Sequence, residues 1–182
     1  MVYVVAVVGT HHSGKTTTIE HLISALTQQG YRVGTIKHIH HERFSIDQEG
    51  TNTWRHTQAG SKVTVAIAPN EIAIIKKTSA ELESLDQIIK QLENDDLDFI
   101  IIEGFHRLIS KRADIPKIIA AKDMQNLQEM LALPTPPILA VTGLVAQNKP
   151  CGVNVGVPLI SLPDEVNKLV EVIKEFYKVS GR

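Results

Sequence analysis

Between Gly9 and Thr16 the chain reads Gly-Thr-His-His-Ser-Gly-Lys-Thr, which meets G-x-x-x-x-G-K-[ST] at every fixed position. This pattern constrains the fold because it works only as the turn between a buried strand and a helix. Its glycines let the backbone curl so that successive N–H groups face phosphate oxygens. The helix behind it adds its positive amino end. The flanks fit. Tyr3–Val8 is a continuous run rich in β-branched residues, as in a strand buried on both faces, and Ile19, Leu22, Ile23 and Leu26 recur at helical spacing until Gly30. Gly9, Thr10, His11, His12, Ser13, Gly14, Lys15, Thr16 and Thr17 are therefore the predicted nucleotide-binding residues. The expected ligand is a purine nucleoside triphosphate with Mg2+. Lys15 would neutralise the β- and γ-phosphates, and the Thr16 hydroxyl would ligate the cation.

The remainder alternates strand and helix. Strands are expected at Arg32–Ile36, Phe99–Ile102, Lys117–Ala120 and Ile138–Val141. A hairpin is expected from Val63–Ala68 and Glu71–Lys76 around Pro69-Asn70. Thr51–Ala59 reads as a short helix. Thr78 and Glu81 have capping-box spacing ahead of an apolar stripe at Leu82, Leu85, Ile88, Ile89 and Leu92. A further helix carries Met124, Leu127 and Leu131, and the last begins near Pro163 with Val166, Leu169, Val170, Ile173 and Tyr177 on one face. The pattern predicts one α/β domain over 1–182. It is a P-loop NTPase-type fold, with a mostly parallel sheet, helices on both faces and an antiparallel hairpin. Ligands of such sheets sit beyond the carboxyl ends of the strands. Gly9, Lys37 and Glu103 all follow strand ends and should converge there.

Glu103 closes the apolar run Phe99–Ile102, where an acid on the magnesium side, or one that orients water, belongs. Asp98, at the strand's other end, reads as a cap. The polar stretch from Lys37 to Gly50 holds His38, His40 and His41, and His11 and His12 lie within the phosphate loop. Clustered imidazoles can bind zinc or nickel, recognise phosphate or stack on rings, or simply furnish a polar surface loop.

Composition narrows the classes. Of 182 residues, 43% are hydrophobic and 21% charged, enough for a packed core, and the net charge of −1 argues against a general nucleic-acid binder. The single cysteine, Cys151, excludes an intramolecular disulfide and fits a reducing, cytoplasmic setting. The apolar start lacks a basic leader and a small-residue cleavage site, and no apolar run approaches the ~18 residues of a membrane span.

Four blocks in order carry a resemblance: the phosphate loop; Gly34-Thr35-Ile36-Lys37-His38-Ile39-His40-His41; Trp54-Arg55-His56-Thr57-Gln58-Ala59-Gly60-Ser61; and Ile102-Glu103-Gly104-Phe105. Together they resemble the molybdopterin-guanine dinucleotide biosynthesis protein B (MobB) family, from Met1 to about Asp123. The resemblance implies a GTP-binding adapter in assembly of the molybdenum or tungsten cofactor. It would be a homodimer and a weak GTPase that assists the molybdopterin guanylyltransferase joining GMP to molybdopterin. Carried onto this chain, it makes Lys15 and Glu103 the catalytic pair, and Thr16 and Glu103 the metal side. Lys37, His38, His40, His41 and Arg55 would line the same mouth, toward molybdopterin, its guanine dinucleotide or the partner. Family members often carry an acid where this chain has Asn52, and Asp47 is the nearest carboxylate that could compensate.

Other readings compete with this one. The histidines suggest a metal-insertion GTPase, but no Cys-Pro-His motif accompanies them. Arg107, Lys111 and Arg112 are a thin lid for a small-molecule kinase, or else a solvated loop. A non-catalytic carrier of the finished dinucleotide needs the same phosphate loop. Asn148-Lys149-Pro150-Cys151 begins like the guanine-reading N-K-x-D but ends without the acid, so the preference for GTP rests on the resemblance.

Overall fold

The computed structural model describes residues 2–41, 44–77, 85–148 and 155–181. Five strands form one parallel sheet: β1 (Tyr3–Val8), β2 (Val33–Lys37), β5 (Phe99–Glu103), β6 (Lys117–Ala120) and β7 (Ile138–Thr142), in the order β2-β5-β1-β6-β7. Every pairing within it is parallel. The central strands are apolar at successive positions because both faces are covered. Val5, Val7, Phe99 and Ile101 join a core cluster with α1 (Lys15–Gln28) and α7 (Val166–Val179). Ala6, Val8, Ile100 and Ile102 alternate with them and are also buried. The helices supply Ile19, Leu22, Leu26, Leu169, Val170, Ile173 and Tyr177 to that cluster, as their spacing predicts, together with Ala25, while the predicted Ile23 and Val166 pack partly buried against it.

The chain gathers into two compact units, one of Met1–His38 with Ile88–Arg182, the other of Ile39–Gln87. The parallel sheet lies in the first. The second holds α2 (Asn52–Gln58) and the antiparallel pair β3 (Val63–Ala68) and β4 (Glu71–Lys76). The hairpin has the predicted bounds. Val65 pairs with Ile74 and Ile67 with Ile72, so with Val63 they share one face, and these five side chains are 49–78% exposed. The chain returns to the first unit within α3 (Leu85–Leu92). The Thr78–Glu81 capping pair and Leu82 lie outside the described residues.

Several boundaries differ from expectation. Strand β2 runs from Val33 to Lys37, one residue later than predicted. Arg32 is held outside it by Asp98, whose Oδ2 accepts from the Arg32 amide (2.8 Å) and Nε (3.2 Å). Asp98 is thus a cap, but one for the neighbouring strand's start. α7 begins at Val166 rather than near Pro163. Helix α5 (Met124–Leu131) buries Asn126, Leu127 and Met130 rather than Met124 and Leu131. Two four-residue helices, α4 (His106–Ile109) and α6 (Leu144–Gln147), were not predicted. In the segment carrying Arg107, Lys111 and Arg112, the first two are exposed, Ile109 is fully buried, and Arg112 pairs with Asp114 at 2.6 Å. Among the described residues, no helix is long and apolar enough to cross a membrane.

Candidate functional site

The turn from Gly9 to Gly14 rests on the carboxyl ends of β1, β6 and β7. A Cβ on Gly9 would stand 2.2 Å from the Ala120 carbonyl and 2.4 Å from Ser13 Oγ, so glycine is required there. His12 and Gly14 adopt left-handed backbone (φ 57° and 94°), which curls the loop. α1 then starts with no side-chain cap and no acid in its first turn. Both are common stabilisers of a helix start. Their absence leaves the first N–H groups and the positive end of the helix for an anion. Ser13 is buried, and its Oγ has no hydrogen-bond partner among the described residues.

Glu103 links the phosphate loop to the end of β2. Its Oε1 accepts from Thr16 Oγ1 at 3.1 Å, and its Oε2 pairs with Lys37 Nζ at 3.2 Å. Lys37 and Glu103 are register partners at the ends of β2 and β5, which is why two residues so far apart in sequence meet. Octahedral Mg2+ with bonds of ~2.1 Å places adjacent ligand oxygens about 3 Å apart. The Thr16–Glu103 separation fits a cation shared by these two oxygens, directly or through its waters. Lys15 Nζ donates to the Thr10 carbonyl at 2.5 Å. Its ammonium is held below the ordinary lysine range, first by burial and then by repulsion from Lys37 and Lys122, against the opposing pull of Glu103. A polyanion in the loop relieves both effects.

His38 follows β2 and belongs to the same unit. Its amide donates to the Glu103 carbonyl (3.0 Å), and its ring stacks on Phe105 with centroids 4.4 Å apart. Gly104 and Phe105 both take left-handed backbone, and a Cβ on Gly104 would lie 3.2 Å from that of His38. His11 and His12 are exposed, with ring centroids 6.3 Å apart. The structure thus brings together Gly9–Thr17, Lys37, His38 and Glu103. His40, His41, Asp47 and Arg55 lie in the second unit. There Asp47 Oδ1 accepts from the hydroxyls of Thr51 (3.0 Å) and Thr53 (2.8 Å), tying the loop to the start of α2, and Asn52 is that helix's first residue. Among the described residues, no group of three His, Cys, Asp or Glu side chains is placed to hold a metal.

Three residues near the loop escape sequence reading. Asn126 on α5 is buried, and its Oδ1 accepts from Thr10 Oγ1 and from the Lys122 amide, both at 3.2 Å. Lys122, just past β6, is half-buried and has no ion-pair partner among the described residues. Gly143 ends β7 with φ 90°, and a Cβ there would meet the Ser13 carbonyl at 2.4 Å and that of Ala121 at 2.6 Å. A glycine between an apolar strand and a helix was a visible signal for the third. Nothing local marked the other two. Lys149, Pro150 and Cys151 lie outside the described residues.

A phosphate loop on the carboxyl edge of a parallel sheet, with an acid on the adjacent strand facing its threonine, defines a P-loop nucleoside-triphosphatase fold. The family model for molybdopterin guanine dinucleotide synthesis protein B matches residues 4–143. The molybdopterin-guanine dinucleotide biosynthesis adapter protein of Haemophilus influenzae is 35% identical over 79% of this chain and 74% of its own. A putative adapter protein of the same name from Methanocaldococcus jannaschii is 36% identical over 66% of this chain, a match spanning about half (47%) of that relative's length. The solved structure of Bacillus subtilis MobB superposes with a TM-score of 0.72 at 26% identity, covering 93% of this chain and 96% of that one. The chain belongs to the MobB family.

Proposed function

We propose that this chain is a GTP-binding adapter in molybdopterin guanine dinucleotide biosynthesis, with slow GTP hydrolysis as its chemistry. The observation that carries this reading is the Thr16–Glu103 contact beside Lys15, in a chain whose relatives are named as adapters of that pathway. The loop's N–H groups and Lys15 bind the phosphates. Thr16 and Glu103 would hold Mg2+, which would supply neutralisation of phosphate charge. Glu103 also orients the water that attacks the γ-phosphorus, giving GDP and inorganic phosphate. Lys15 meets the charge that develops on the bridging oxygen. The chain works in the cytoplasm with the molybdopterin guanylyltransferase. Lys37 and His38 face molybdopterin or the finished dinucleotide, and His40, His41, Asp47 and Arg55 serve the substrate or partner from the second unit. The protein is a homodimer, and the apolar hairpin face of Val63, Val65, Ile67, Ile72 and Ile74 supports this, since a monomer gains nothing by exposing it.

Calorimetry with GTP, ATP and molybdopterin guanine dinucleotide tests the reading on wild type and Lys15→Ala. GTP or the dinucleotide should bind well above ATP, with binding lost in the variant. Preference for ATP with no dinucleotide binding would overturn it.

A further inference from the structure

The geometry points to Lys122 as a second phosphate-binding lysine, held against the phosphate loop by Asn126 and serving the α- and β-phosphates rather than the γ-phosphate. This rests on the nucleotide-binding reading and adds a residue to it. Asn126 Oδ1 receives two hydrogen bonds, one from the Thr10 side chain within the loop and one from the Lys122 backbone amide. Asn126 is itself fixed, because its amide donates to the capping carboxylate of Asp123 at 2.8 Å. The buried amide therefore locks the residue after β6 to the loop at a fixed offset, and Lys122 starts from that lock.

The electrostatics agree. Lys122 is half-buried without an ion-pair partner among the described residues, and its charge is felt at Lys15. A polyanion in the loop would be attracted by both ammonium groups. Sheet order decides which phosphates it meets. β5, with Glu103, flanks β1 on one side, and β6, leading to Lys122, flanks it on the other. Thr16 and Glu103 mark the cation and γ-phosphate side, so Lys122 stands on the opposite side, where the loop cradles the α- and β-phosphates.

Calorimetry with Mg-GTP and Mg-GDP on wild type, Lys122→Gln, Lys122→Arg and Lys15→Ala tests this, with thermal unfolding of each empty protein to verify folding. Loss of one charge-assisted contact should weaken both nucleotides by about tenfold in Lys122→Gln. The same factor should appear for GTP and GDP, with most of it restored in Lys122→Arg. Wild-type affinity in Lys122→Gln, with binding lost in Lys15→Ala, would overturn the inference and leave the nucleotide reading standing. Weakening confined to GTP would overturn the placement on the α/β side. Absence of nucleotide binding by the wild type would remove the reading and this inference together.

Discussion

Gly143 shows how much a single atom can matter in this site. Its φ of 90° disfavours any side chain, and a Cβ would press on two backbone carbonyls, one of them in the phosphate loop. Gly143→Ala should therefore lower stability by about 2 kcal/mol or more, measured by denaturant unfolding, and weaken GTP binding through displacement of Ser13. Lys117 behaves differently. It is fully buried at the start of β6, where its Nζ donates to the carbonyls of Ile115 (2.8 Å) and Arg112. Burial lowers its pKa below the ordinary lysine value. Between the lowered and ordinary values the unfolded chain binds more protons, so stability rises with pH across that window. Alkaline unfolding titrations should show this rise in the wild type relative to Lys117→Met. The phosphate-loop residues were legible because their chemistry is spelled out in consecutive positions. Asn126 and Lys122 were not, since Asn126 meets Thr10 116 positions away and no period encodes such a contact. Lys117 read only as a strand residue, because sequence does not tell a lysine pointing to water from one that clamps carbonyls.

Strands and the longer helices were legible, and the two four-residue helices were not. The parallel strands and the hairpin announce themselves through β-branched runs and turn residues, whereas α4 and α6 have four residues each, too few to display a helical repeat. The shift of β2 by one residue follows from the Asp98 clamp on Arg32. Side-chain and backbone hydrogen bonds from Arg32 hold the Asp98 carboxyl below its ordinary range. That stabilisation is present above the ordinary carboxylate pKa and is lost as pH falls through the lowered one. Asp98→Asn should thus unfold more readily than wild type at neutral pH, with the gap closing in acid, as followed by circular dichroism. On α7, the Tyr177 hydroxyl donates to the Val4 carbonyl. Tyr177→Phe should cost about 1 kcal/mol in denaturant unfolding, since it leaves that carbonyl without its donor.

At the scale of the whole molecule, the apolar hairpin face and the phosphate site belong to different compact units. Val65→Glu combined with Ile74→Glu should convert the proposed dimer to a monomer in sedimentation and leave GTP affinity within about twofold, because neither residue is near the phosphate loop in sequence or register. The second unit is one uninterrupted stretch of chain, Ile39–Gln87, entered directly after His38 and left within α3. A gene can therefore treat it as a cassette. An exchange of that stretch replaces the entire unit and leaves every phosphate-loop residue, Lys37 and Glu103 untouched, so that the proposed partner surface and the proposed nucleotide site are free to diverge at separate rates.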